Sequence, residues 1–219
     1  MTVPSGLGWP PSDPAVLQAI PPAAVPVSLH RLSYWPGVWW FATTGVEVLG
    51  GRFDLAPPFG TCYLADELEG ALIEKLLRTP KRIVSTEQLD RLFHVTVEVR
   101  RAPRSADLTA TTLTGLGLNA EIHTSLDYAK PRAWAAALRH AGWRALRYAM
   151  RGDSALLQRG VALFGSAGLH RRAPAGMRAS LAPLDRIHAA SLLERRGVLV
   201  RPLPRAEDLP IFRPPEPSR

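Results

Sequence analysis

Between Gly50 and Arg78 the chain groups three side chains that can act together: Arg52 behind Gly50-Gly51, Tyr63 in the apolar run Gly60-Thr61-Cys62-Tyr63-Leu64-Ala65, and Glu74. Two glycines let a backbone approach a ligand closely, and a guanidinium fork matches phosphate oxygens, so Arg52 suits a pyrophosphate. A tyrosine ring offers a flat wall to an aromatic group. A fixed carboxylate stabilises positive charge developing on a sugar. Each residue also has a plainer reading. Arg52 can be a surface arginine in a hairpin turn, and Tyr63 a packed strand residue with its hydroxyl bonded locally. Glu74 can be a solvated glutamate paired with Arg78 four residues on, worth a few tenths of a kcal/mol. Upstream, Arg31 interrupts an apolar pattern of Val27, Leu29 and Leu32. Arginine is seldom buried unpaired, so Arg31 needs a carboxylate partner or an anionic ligand.

These side chains need elements to hold them. Residues 27–34 read as a strand carrying Arg31, broken by Pro36-Gly37, and residues 38–41 as apolar core. Residues 61–65 read as a short buried strand. Asp66 suits the N-cap of a helix running to about Arg78 and ended by Pro80. On that helix Leu68, Leu72 and Leu76 centre the apolar face, and Glu74 lies on the polar side. Residues 92–99 alternate, with Phe93, Val95, Val97 and Val99 against His94, Thr96 and Glu98, as a half-buried strand does. Residues 115–130 read as loop, and Pro131 as the first residue of a helix to His140. A strand over 145–150, a turn at Arg151-Gly152-Asp153-Ser154 and a strand over 161–164 follow. Residues 184–196 read as an amphipathic helix closed by Gly197, then Val198-Leu199-Val200 and a proline-broken tail. Short strands mixed with few helices predict α+β or mixed α/β.

The 219 residues, 46% hydrophobic, suffice for one core and about one domain. Prolines crowd the first ~26 and last ~50 residues. That predicts an irregular segment over 1–26, a folded region over 27–170, and a basic Pro/Arg-rich extension with one helix over 171–219. A net charge of +8 points to phosphate-bearing ligands, nucleic acid or an acidic partner, or only to solubility. The single cysteine, Cys62, leaves no intrachain disulfide and reads as a small buried hydrophobe. No secretory pattern opens the chain and no run approaches the ~18 apolar residues of a membrane span, so the cytoplasm is the expected location. The histidines fall at no metal-ligand spacing, and P-loop, GxGxxG and nucleophile-elbow patterns are absent.

Arg31, Gly50-Gly51-Arg52-Phe53-Asp54, Gly60-Thr61-Cys62-Tyr63-Leu64-Ala65, Ala71-Leu72-Ile73-Glu74 and Ser154 together resemble the RES domain, a family named for an arginine, a glutamate and a serine. The resemblance spans about Val27 to Gly165. Family members often carry an aromatic near the first arginine; here Leu32 follows Arg31, with Tyr34 a little further on. The resemblance implies an α+β fold like that of ADP-ribosyltransferases, with a mixed-sheet core and flanking helices. It implies a toxin that degrades NAD⁺ at the nicotinamide–ribose bond, by phosphorolysis with inorganic phosphate or by hydrolysis. It also implies an Xre-like antitoxin covering the cleft, with nucleic acid involved only through that partner. NAD⁺ is then the substrate, and no permanent cofactor, metal or membrane is implied. Carried over, Arg31 and Arg52 bind the NAD⁺ phosphates and Tyr63 stacks against nicotinamide or its ribose. Glu74 engages the ribose hydroxyls and stabilises an oxocarbenium-like cation. Ser154 hydrogen-bonds nicotinamide or positions the nucleophile. The catalytic set is therefore Glu74, Arg31 and Ser154. Two other functions stand beside this one. The first is a mono-ADP-ribosyltransferase acting on a macromolecule. The second is a basic nucleic-acid-binding module built on the arginine-rich tail, where aromatics are sparse (Phe212).

Overall fold

The computed structural model describes residues 6–45, 50–78 and 82–204. In chain order the elements are α1 (Pro14–Gln18), β1 (Ser28–Ser33), β2 (Trp39–Phe41), β3 (Phe59–Ala65), α2 (Leu68–Leu76), β4 (Ile83–Ser85), α3 (Thr86–Asp90), β5 (Phe93–Val99) and β6 (Ser105–Asp107). A 3₁₀ turn (Thr111–Leu116) leads to α4 (Glu121–Thr124), α5 (Ala129–His140), β7 (Ala145–Ala149), β8 (Arg159–Ser166), β9 (Gly168–His170), β10 (Met177–Pro183), α6 (Arg186–Arg195) and β11 (Leu199–Arg201). Seven strands form one sheet in the order β10-β5-β1-β3-β8-β7-β6. Its neighbours are antiparallel except β6 and β7, so the sheet is mixed and the architecture is the expected α+β.

Strand alternation sends side chains to two faces. Val95, Val97, Cys62, Leu64, Val161 and Leu163 pack with Trp39 and Phe41 of β2. The opposite face holds Ala65, Tyr148 and Ala162 against Leu72, Ile73 and Leu76 of α2, Trp134 of α5 and Leu193 of α6. Cys62 is fully buried, as its apolar surroundings predict.

One discontinuity in this sheet positions the site. β1 pairs with β5 along its whole length, and β3 with β8 along its whole length. β1 and β3 meet in register only at His30 and Ala65. From there the two strands diverge. The freed edge of β3 is taken up by Ala42, which exchanges two backbone bonds with Thr61 (2.9 and 2.8 Å).

Several local expectations are revised. Asp66 does not cap α2: it pairs with Arg147, and Glu67 takes the cap position without a side-chain bond. The stop expected at Pro80 lies outside the described residues. The segment read as loop contains part of the 3₁₀ turn and α4, and α5 starts before Pro131, where Asp127 Oδ1 accepts from Ala129 N at 2.9 Å. The proline-rich start carries α1 and is anchored to α5 and beyond: Trp134 Nε1 donates to Gly8 O and Trp143 Nε1 to Leu17 O, both at 2.9 Å. Residues 177–183 form an edge strand on β5, hidden in the sequence because Arg178-Ala179-Ser180 alternates weakly and most of the strand is exposed. The rest of the expected tail, residues 205–219, lies outside the described residues. Among the described residues no helix is long and apolar enough to cross a membrane.

Candidate active site

Residues 71, 74, 75 and 78 recur at helical spacing, so they share one side of α2 and its continuation. That side faces the opening left between β1 and β3. There, a cavity of about 210 Å³ gathers Arg31 from β1, Tyr63 from β3, Glu74 from α2 and Arg52 from the loop before β3. Four of the five expected site residues thus meet.

Glu74 is half-buried, and Tyr148 Oη donates to its Oε1 at 3.1 Å. Burial pushes its pKa above the ordinary glutamate value, opposed by the Tyr148 bond and the charges of Arg78, Arg52 and Arg151. Glu74 feels the Arg78 charge, as the plain helix reading expects, but its face lines a cavity. Arg78 itself donates to Gly50 O at 2.7 Å.

The Gly-Gly-Arg loop is held from several sides. Gly51 N donates to the Asp54 carboxylate, and Arg132 Nε donates to Gly51 O at 3.1 Å. Tyr63 Oη donates to Asp54 Oδ1 at 2.8 Å and accepts from Phe53 N at 2.9 Å. A Cβ on Gly51 would overlap both Tyr63 Oη and Asp54 Oδ1, so only glycine fits. The Tyr63 hydroxyl is therefore committed to the loop, and its ring is what remains for a ligand. Arg52 emerges from this clamp 9% exposed, its guanidinium 5.4 Å from the Tyr128 ring. Burial draws its pKa down, while Tyr128 and Glu74 act the other way.

Arg31 donates through Nη1 to Trp40 O (3.1 Å) and to Cys62 Sγ (2.8 Å). Among the described residues neither Arg31 nor Arg52 forms an ion pair. The described lining carries Arg31, Arg52, Lys75, Arg78 and Arg151 against Glu74 as its one carboxylate. Such a site attracts an anion, and it places its single negative group where a ligand's cationic part is favoured.

Ser154 is not brought in. It is exposed and does not line the cavity. The reason is local: Asp153 turns inward, its Oδ2 accepting from Leu157 N (2.6 Å) and Gln158 N (2.8 Å), which leaves Ser154 on the outside. Arg151 and Gly152 present that turn to the cavity instead. Sequence reasoning missed Tyr148, Tyr128, Arg151 and His123. The strand expected over 145–150 puts Leu146 and Tyr148 on one face, but nothing local says that this face meets α2. Tyr128 and His123 fall in the stretch read as loop. His123 is 7% exposed, with Nε2 on Leu108 O at 3.2 Å; burial takes its pKa down to about 4. Among the described residues no group of three or more His, Cys, Asp or Glu is placed to hold a metal ion.

The family model described as RES domain matches residues 26–185. Among solved structures the chain is similar to one described as the crystal structure of the M. tuberculosis MbcT–MbcA toxin–antitoxin complex. The TM-score is 0.60 at 16% identity, over 82% of this chain and 95% of that one. This likeness is one of fold. No curated protein matches the chain in sequence.

Proposed function

The chain belongs to the RES domain family, and on that premise we propose that it is a toxin that degrades NAD⁺ by cleaving the nicotinamide–ribose bond, restrained by an antitoxin protein of Xre type. The observation that carries this reading is the charge pattern of the cavity, five cations around one half-buried carboxylate. NAD⁺ has the complementary pattern, a pyrophosphate and one cationic ring. The cavity, about 210 Å³, is smaller than the ~300–1,000 Å³ of sites that enclose a whole small molecule. It takes the nicotinamide–ribose end, with the remainder of the dinucleotide across the mouth.

The chemistry follows from the residues. Arg31 and Arg52 hold the phosphates, and the Tyr63 ring packs against the nicotinamide ribosyl group. The C–N bond breaks toward nitrogen, so nicotinamide leaves neutral with the bonding electrons and needs no general acid. Positive charge develops on the ribose, where the ionised form of Glu74 stabilises it, oriented by Tyr148. An anionic oxygen of phosphate then bonds directly to the anomeric carbon, or a water oxygen does so and releases its proton to bulk solvent. Phosphate is the acceptor we favour, because Arg31 and Arg52, which form no ion pair among the described residues, line the cavity and suit an anionic nucleophile. Ser154 has no place in this scheme.

The test is incubation of the purified protein, free of antitoxin, with NAD⁺ in the presence and absence of inorganic phosphate. The expected products are nicotinamide and, with phosphate, ADP-ribose-1″-phosphate. Intact NAD⁺ under both conditions overturns the reading. Radiolabel from NAD⁺ appearing on protein or nucleic acid of a lysate would show transfer to a macromolecule instead.

A further inference from the structure

Past residue 185, where the family match ends, α6 returns to the back of the site. Its C-cap residue, Arg196, reaches two other segments at once. Nε contacts Glu69 Oε1 at 2.5 Å and Nη1 contacts Asp153 Oδ1 at 2.9 Å. The Asp153 side chain is 3% exposed, and its other oxygen already accepts the Leu157 and Gln158 amides. Glu69 lies on α2, five positions before Glu74. Asp153 lies two positions after Arg151 and next to Gly152. Gln158 Nε2 adds a link from the same turn to Glu69 Oε2 at 3.5 Å. The two segments are packed tightly: a Cβ on Gly152 would sit 2.5 Å from Ile73 Cγ2. Leu192 and Leu193 of α6 are buried in the same cluster as Leu72 and Ile73.

We infer that Arg196 is a positioning residue, which fixes the helix that carries Glu74 against the turn that carries Arg151. The segment beyond the family domain is thus a brace for the cavity wall. Three features support this. One guanidinium bridges two carboxylates on different segments, which a point-like ammonium does less well. Asp153 is deeply buried, so removing its cationic partner leaves a buried charge that only amides then hold. Both bridged segments contribute lining residues, so a shift between them moves Glu74 relative to Arg151 and Arg52.

The catalytic part of this inference rests on the NAD⁺-cleavage reading; the brace itself does not. Two measurements therefore test it separately. In hydrogen exchange, Arg196→Met should raise the exchange rates of the Leu157 and Gln158 amides at least tenfold, with the β3 amides unchanged. Unchanged exchange at Leu157 and Gln158 removes the brace, whatever the protein catalyses. In nicotinamide release at saturating NAD⁺, Arg196→Met should lose at least tenfold in kcat, and Arg196→Lys should recover part of that loss. Leu192→Ala, a buried change on the same helix, controls for stability alone. A wild-type kcat in folded Arg196→Met, or an equal kcat loss in Leu192→Ala at matched Tm, overturns the positioning role. If wild type releases no nicotinamide at all, the NAD⁺ reading fails and the exchange result alone decides the brace.

Discussion

Glu74 is held where its charge is costly. Burial favours the protonated carboxyl, the Tyr148 bond and the Arg78, Arg52 and Arg151 charges favour the ionised one, and burial prevails, so the folded pKa lies above 4.5. A raised folded value means that this group's stabilisation is complete below the unfolded pKa and is lost as pH rises through the folded one. Glu74→Gln should therefore melt above wild type near neutral pH, with the gap closing below 4.5. A variant melting below wild type at neutral pH contradicts this balance. His123 titrates the other way round. Its folded pKa is about 4 against 6.5 unfolded, so the unfolded chain takes up the proton first and stability falls between those values as pH drops. The loss amounts to about 3 kcal/mol. His30 and His94, whose pKa values burial also lowers, add to it. Urea unfolding at several pH values should show a smaller acid loss in His123→Gln; an unchanged slope assigns it to the other two. At this scale the sequence was informative about residue type and silent about aim. Chemistry and resemblance singled out Arg31, Arg52, Tyr63 and Glu74, which line the cavity, and Ser154, which does not, because a turn residue's direction depends on its neighbours' bonds.

The strands and loop around Gly51 work as a unit. Tyr63 Oη joins Phe53 N to Asp54, and Asp54 in turn holds Gly51 N. Tyr63→Phe takes the acceptor from the Phe53 amide in a buried setting, a cost of about 1–3 kcal/mol. Denaturant unfolding should show that loss together with weaker NAD⁺ turnover, since Arg52 hangs from the same loop. Full stability in Tyr63→Phe contradicts the clamp. The Gly50–Asp54 block was legible because two adjacent glycines speak for themselves. The cap of α2 was not: Asp66 has the right chemistry for an N-cap, but Arg147, far away in sequence, takes it. Likewise α2 gives its polar side away by periodicity, yet only the divergence of β1 from β3 turns that side toward a cavity.

Across the whole molecule, the charge of +8 and the cationic cavity favour approach of an anionic dinucleotide. Raising ionic strength from about 0.02 to 0.2 M should lower kcat/KM for NAD⁺ about threefold while leaving kcat nearly unchanged. A salt-independent kcat/KM removes the steering role. The α+β class was readable from short alternating runs such as residues 93–99. The sheet order was not, because it depends on pairings between distant strands. β10 shows why: it joins β5 from nearly eighty residues away, and its exposed, arginine-bearing sequence lacks the buried alternation that marks a strand locally.

All of this converges on the carboxylate in the gap between β1 and β3. Nicotinamide release by wild type and Glu74→Gln, at saturating NAD⁺ and below the Tm of both, measures its role directly. The loss of charge stabilisation predicts a rate at least ~100-fold lower in Glu74→Gln, about 3 kcal/mol in barrier, in a variant that folds at least as stably. Equal rates in the two proteins would contradict the account at its centre.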